Sequence, residues 1–275
     1  MQPPPGPAGV PSTPSLPFPR AIVEPEHVAR AIAAERDLGE RAATLPAGGE
    51  AWFAYRPGTS AVLFTAPHAT KPMRNGELRF ADTGTGSLAL LLNQLACAPV
   101  LYTTMASPSD PNREDDNAFK KELAARMSEV RPQIVVDLHG SDPSRPYDVD
   151  FGTIEGRSLM ARRDLFDRLV EALRFEGLSA FSSARFDATG KTITRWAFER
   201  GVPAIQLEIS STWISHGLPD DLCTHDREAH RHCHEDSAKG VLGQRFARVL
   251  QALVRFAAEV DRSSGRTACQ PASAR

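Results

Sequence analysis

The sequence predicts an α/β fold, a mixed, mostly parallel sheet flanked by helices on both faces. Two observations predict it. Short apolar runs alternate with longer segments of helical spacing, the pattern of strands joined by covering helices. Polar residues gather just past the C-terminal ends of the apolar runs, where open α/β sheets bind ligands. Composition agrees. The 275 residues are 24% charged and 41% hydrophobic, which excludes a disordered chain, a collagen-like repeat and a coiled coil.

In chain order, residues 1–20 hold prolines 3, 4, 5, 7, 11, 14, 17 and 19, so few backbone donors are left and a disordered, polyproline-like tail is expected. Such a tail could dock a proline-reading partner. Residues 23–35 have amphipathic helical spacing. Residues 61–66 form a short apolar run stopped by Pro67, which reads as a buried strand. A densely apolar helix over 88–95 follows, then a strand over 98–103. Residues 114–130 carry Phe119, Leu123, Met127 and Val130 at helical spacing, with acidic residues at the expected first turn. The β-branched run 134–138 is a third strand, 148–153 a fourth and 204–209 a fifth. Helices are expected over 159–175, 192–200 and 241–260. A single catalytic domain over 21–260 and a frayed, polar tail over 261–275 complete the organisation.

Lys+Arg is 32 and Asp+Glu is 34, a net charge of -2, so no basic excess points to nucleic acid. No apolar run reaches the roughly 18 residues of a membrane span. The first residues lack the basic and apolar regions of a secretory signal. Cys97, Cys223, Cys233 and Cys269 are too sparse for a disulfide scaffold and are expected as reduced thiols in a cytoplasmic protein.

Two histidines stand where chemistry is expected. His68 follows the strand 61–66, and His139 follows the strand 134–138. Leaving neighbouring strands at one sheet edge, they could converge on a metal ion, and imidazole suits zinc. Each alone reads more simply as a hydrogen-bonded strand-end residue. Asp82, heading the Asp82-Thr-Gly-Thr-Gly86 segment before a helix, is the best third ligand, although a carboxylate there is often a helix cap. Asp137 lies on the strand face of His139 and could ligate or orient the imidazole. Glu208 is a carboxylate in the apolar run 204–209, so it should have a partner or a role, either an ion pair or a general base for water. Arg113 and Arg195 lie in polar contexts suited to binding a carboxylate.

Read together, Pro67-His68, Asp82, Asp110-Pro-Asn-Arg113, Asp137-Leu-His139, Gly152-Thr-Ile-Glu-Gly156, Ile193-Thr-Arg195 and Gln206-Leu-Glu208 stand in one order over residues 61–209. That order resembles the N-formylglutamate amidohydrolase family. The resemblance implies a zinc-carboxypeptidase-like α/β fold and metal-dependent hydrolysis of the amide in a small, acidic N-acyl amino acid. It implies one zinc ion held by His68 and His139, Glu208 as the base, and Asn112, Arg113 and Arg195 as substrate contacts. Lys71 stands where the carboxypeptidase His-x-x-Glu pattern has glutamate, so the third ligand is sought in Asp82. Two other readings are a carboxypeptidase-like peptide or cell-wall hydrolase, and a non-catalytic binding protein. Beyond these segments, Cys223, His225, His230, His232, Cys233 and His234 form a ligand-rich stretch without zinc-finger spacing, expected as a polar surface segment.

Overall fold

A computed structural model describes residues 23–215, 241–266 and 269. The proline-rich start and the Cys223–His234 stretch lie outside the described residues. The elements run in the order α1 (Pro25–Arg41), β1 (Phe53–Arg56), β2 (Val62–Ala66), β3 (Met73–Arg74), β4 (Glu77–Leu78), α2 (Thr85–Ala96), β5 (Val100–Thr103), α3 (Ala118–Val130) and β6 (Ile134–Ser141). There follow β7 (Val149–Gly152), α4 (Arg163–Phe175), β8 (Phe181–Ser182), α5 (Ile193–Phe198), β9 (Ala204–Ser210), α6 (Ser211–Ile214) and a last helix, α7 (Val241–Ser263).

Seven strands form one sheet in the order β1-β5-β2-β6-β9-β7-β8. The central four, β5, β2, β6 and β9, are parallel. β1 pairs antiparallel to β5 and β7 antiparallel to β9, while β8 runs parallel to β7, which makes the sheet mixed. The expected α/β fold is therefore present. Helices α1, α2, α4 and α7 pack on one face in a large apolar cluster. Helices α3 and α5 pack on the other, against Leu63, Leu101, Val135 and Ala204.

Side chains alternate across a strand, so each face has its own sequence. In β9, Ile205, Leu207 and Ile209 join the large cluster. The opposite face of β9 reads Ala204, Gln206, Glu208 and Ser210, and that of β6 reads Val135, Asp137, His139 and Ser141. The sheet face toward α3 and α5 thus starts apolar and turns polar toward the C-terminal strand ends. This switch, written at every second residue, places the candidate site.

Several elements differ from expectation. β6 runs to Ser141, so His139 lies within the strand. The helix expected from 114 begins at Ala118, because the Asn117 side chain accepts from the Phe119 and Lys120 amides and caps it. β1 and β8 are edge strands of 4 and 2 residues, too short for a periodicity signal. The expected frayed end at 261 is instead tied down. Asp261 is buried and accepts from Ser60 Oγ at 3.0 Å and from the Ala61 amide at 2.5 Å. Arg266 donates to the carbonyls of Ser60 and Val130.

The thiol expectation is also corrected for Cys97 and Cys269, while Cys223 and Cys233 lie outside the described residues. Cys97, in a left-handed conformation at the end of α2, is bonded to Cys269 across 172 residues of sequence. Spacing could not show this, because the two cysteines meet only when α7 lies beside α2.

Candidate active site

The loop after β2 turns back over the sheet edge and presents His68, whose carbonyl accepts from the Asp82 amide at 2.7 Å. That bond pins the chain entering α2 against the end of β2. Asp82 does not cap α2, since the cap position is Gly84. Gly84 has φ +97, and a Cβ there would lie 2.2 Å from the Ile214 carbonyl oxygen, so only glycine lets this turn pass under α6. The Asp82 carboxylate is free to face the histidines. Its Oδ2 lies 2.8 Å from His139 Nδ1 and 3.4 Å from His68 Nδ1.

The remaining nitrogen of each imidazole is also held. His68 Nε2 lies 2.8 Å from Asp110 Oδ1. Asp110 is fully buried and is also paired with Arg74, on the β3–β4 hairpin. His139 Nε2 lies 3.1 Å from Asp137 Oδ2 and 2.6 Å from Asn112 Nδ2. Asp137 in turn accepts from Thr65 Oγ1 at 2.6 Å. Asn112 accepts from the Ile193 amide at 2.7 Å, so it connects His139 to the start of α5.

The electrostatics follow from these pairs. Burial disfavours a charged His139, but the charge and hydrogen bond of Asp137 and the contact with Asp82 outweigh it and hold the imidazole well above its usual range. His68 is likewise raised against burial by Asp110 and Asp82. Burial alone would raise Asp82, yet the two imidazoles hold it well below the usual carboxylate range.

A pocket that stabilises two cationic rings this way also suits a divalent cation between them. His68, Asp82 and His139 each offer one ligand atom, all within 4.8 Å of one another. Tetrahedral zinc with bonds of about 2.0–2.1 Å separates its ligand atoms by roughly 3.3 Å, close to the spacings at Asp82. The donor set fits, with the far ring nitrogens of both histidines oriented by carboxylates.

Glu208 is the register partner of His139 across the parallel β6–β9 pair. It is 7% exposed, and its partner is Gln206 Nε2 at 2.8 Å. Burial raises its pKa, and the nearby His139 charge offsets this only in part. A carboxylate raised in this way is a better proton acceptor at neutral pH.

These groups line one cleft of about 690 Å³, with His68, Asp82, Asn112, Arg113, His139 and Glu208 all on its walls. Arg195 is not among its lining residues. It is about two-fifths exposed and pairs with Glu199 at 2.7 Å, one turn along α5. Sequence reading missed Arg74, Arg145 and Lys191, which also line the cleft. It missed Lys120 as well, a lysine with no exposed side chain that donates to Asp115 at 2.9 Å and to the Lys191 carbonyl at 2.8 Å. Lys120 thereby fixes the Lys191 wall. Phe186 reaches another wall because Gly152 has no side chain; a Cβ there would lie 2.6 Å from the Phe186 carbonyl oxygen.

No family model matches the sequence, and no curated protein does. Among solved structures, the chain is similar to N-formylglutamate amidohydrolase from Ralstonia eutropha JMP134. The identity is 16% and the TM-score 0.53, over 78% of this chain and 100% of that one. The two share a fold. At this identity the likeness shows nothing more. A bacteriophage poly-gamma-glutamate hydrolase aligns at 15% identity and TM-score 0.44, over 80% of this chain and 92% of that one. Fimbriiglobus ruber glutaminyl cyclase aligns at 11% and 0.48, over 90% and 99%. Neither of these two likenesses is close enough to carry an argument.

Proposed function

We propose that the protein is a zinc-dependent amidohydrolase that cleaves the amide of a small, acidic N-acyl amino acid. The observation that carries this reading is the His68–Asp82–His139 triangle with Glu208 opposite His139 in the same cleft. One zinc ion would be held by those three residues, with Asp110 and Asp137 orienting the rings. When bound, such an ion supplies Lewis-acid chemistry, polarising a carbonyl and making water more acidic. Glu208 accepts the proton of the attacking water and returns it to the leaving nitrogen. Arg113, beside Asn112 on the wall, binds the substrate carboxylate through its guanidinium fork. The shared fold with an N-formylglutamate amidohydrolase supports the class of reaction.

Among the described residues no helix is long and apolar enough to cross a membrane. The cytoplasmic expectation rested partly on reduced thiols, and the Cys97–Cys269 bond removes that part of its support, since such bonds persist in oxidising compartments.

The test is metal analysis of the purified protein, followed by assay on N-formyl, N-acetyl and N-succinyl amino acids and a peptide panel. One zinc per chain, lost in His68→Ala and His139→Ala, with turnover on the N-acyl set is the expected result. Turnover restricted to peptides would favour the peptide hydrolase instead. A protein that binds no zinc and cleaves neither set would overturn the enzyme reading.

A further inference from the structure

No step of the proposed reaction uses a residue of α3, yet that helix carries a buried cation. The Lys120 side chain has no exposed surface. Burial lowers its pKa, and the hydrogen bond and charge of Asp115 offset this only in part. Its Nζ donates to Asp115 Oδ1 at 2.9 Å and to the Lys191 carbonyl at 2.8 Å. It also lies 5.3 Å from the centre of the Trp196 ring, and the Lys120 carbonyl accepts from Trp196 Nε1 at 3.1 Å.

The two acceptors belong to two different loops, and both loops line the cleft. Asp115 lies in the segment 110–117 before α3, which presents Asn112 and Arg113 to the cleft. Lys191 lies in the segment 185–192 before α5, which presents Phe186, Gly190, Lys191 and Thr192. Asn112 makes a second link between the loops by accepting from the Ile193 amide. Arg113 therefore stands between two tethered points, Asn112 and Asp115. The second loop is also tied to its other neighbours. Asp150 accepts from the Phe186 amide at 2.8 Å, and the Asp187 carbonyl accepts from the Ile154 amide at 2.8 Å.

Stability gives little reason to keep a lysine here. The Asp115 side chain is nearly half exposed and Lys191 is an exposed residue, so water can replace the ammonium at both. Methionine would fill a similar space without desolvating a charge, and such replacements of buried ionic groups are often neutral or stabilising.

We propose that Lys120 is a positioning residue that locks the two loops together and so fixes the spacing of Arg113 and Lys191 in the cleft. The inference rests on the amidohydrolase reading and deepens it, since it names what holds the Arg113 fork in place for the substrate. A bidentate fork is directional, and a misplacement of about 1 Å is enough to spoil it.

The experiment compares wild type, Lys120→Met, Asp115→Ala and Asp115→Asn as purified full chains, by amide hydrogen exchange and by kinetics on the N-acyl amino acid panel. In Lys120→Met the amides of Arg113, Glu114 and Ile193, each hydrogen-bonded in the wild type, should exchange about tenfold faster or more, while those of β6 and β9 stay unchanged. The thermal midpoint should hold or rise. KM should increase about tenfold with kcat within about threefold of wild type. Asp115→Ala should show a smaller effect of the same kind, because the Lys191 link remains. Asp115→Asn should lose less than Asp115→Ala, because it keeps an oxygen that accepts from Nζ.

A double-mutant cycle separates positioning from a structural role. In an Arg113→Ala, Lys191→Ala background, Lys120→Met should change kcat/KM by less than about twofold, since the groups it positions are gone. A full penalty in that background would overturn the proposal. So would unchanged exchange, an unchanged KM, or a falling midpoint with unchanged kinetics of the folded fraction. If Lys120→Met does not fold, Asp115→Ala carries the same comparisons. Failure of the amidohydrolase reading looks different. In that case no N-acyl amino acid is hydrolysed, while exchange in both loops still rises in the variants and the lock stands. If N-acyl amino acids are hydrolysed and neither exchange nor KM responds to Lys120→Met, only the lock fails.

Discussion

His139 and Glu208 face one another as register partners on adjacent parallel strands, so the candidate ligand and the candidate base share one face of the sheet. Rigid strands hold both, which is the arrangement proton transfer at a fixed distance requires. Glu208→Gln keeps the shape and the Gln206 contact but cannot accept a proton. The variant should bind zinc and melt near the wild-type temperature, while turnover falls by about 10²–10⁴-fold. A lowered melting temperature with an unchanged rate for the folded fraction would make Glu208 a structural residue. Zinc content, thermal midpoint and kcat on one preparation separate the two outcomes.

The two arginines singled out in the sequence should behave differently. Arg113 lines the cleft, and Arg195 pairs with Glu199 on the outside of α5. Arg113→Lys should lower kcat/KM by about tenfold or more, since a point charge replaces a bidentate fork. Arg195→Lys should stay within about twofold of wild type, because an exposed pair one helical turn apart is worth only about 0.3–0.5 kcal/mol. A large loss in Arg195→Lys would show that the side chain swings into the cleft during turnover.

Asp148 sets a pH dependence of stability. Burial would raise its pKa, but the Ala180 and Ser179 amides, at 2.9 and 2.8 Å, and the Trp213 indole, at 2.7 Å, lower it. A depressed carboxylate pKa contributes stability above the unfolded-state value of about 3.9, and that contribution is lost as pH falls through the folded-state value. Asp148→Asn should therefore be less stable than wild type by about 1–2 kcal/mol at pH 7, allowing for partial exposure. The gap should begin to narrow below about pH 4 and close only as pH falls through the lower folded-state value. Denaturant titrations at pH 7 and pH 3 check the sign, and a gap that widens in acid would refute it.

The disulfide should act on stability and leave the site alone. Cys97 ends α2, and the site lies near its other end, roughly 18 Å away for a helix of 12 residues. Reduction, or Cys97→Ser, should lower the unfolding free energy by about 2–4 kcal/mol with kcat unchanged. Non-reducing peptide mapping should recover the Cys97 and Cys269 peptides joined. Recovery of both as free thiols in protein purified without reductant would remove the bond from the description.

Much of the site could be read locally. His68, Asp137-Leu-His139 and Gln206-Leu-Glu208 sit at the ends of apolar runs, and strand alternation alone places Asp137 with His139 and Gln206 with Glu208. The parallel order of β2, β6 and β9 then brings those ends to one edge. What the amino-acid sequence determined by itself was this periodic information: which segments are strands, which face of each is polar, and which residue types stand at their ends.

Tertiary structure decided everything that depends on direction or on distant partners. Asp110 reads as a loop residue until it is found buried between His68 and Arg74. Arg195 and Arg145 look alike in sequence, but one is held outside by a neighbour on its own helix and the other turns into the cleft. Lys120 reads as a solvent-facing helix residue and is buried, because Asp115 and the Lys191 carbonyl meet it there. Cys97 and Cys269 are joined across 172 residues. The physical reason is range. Alternation and helical spacing are set by a residue's immediate neighbours, whereas the aim of a long side chain and the meeting of remote ones are set by how whole layers pack.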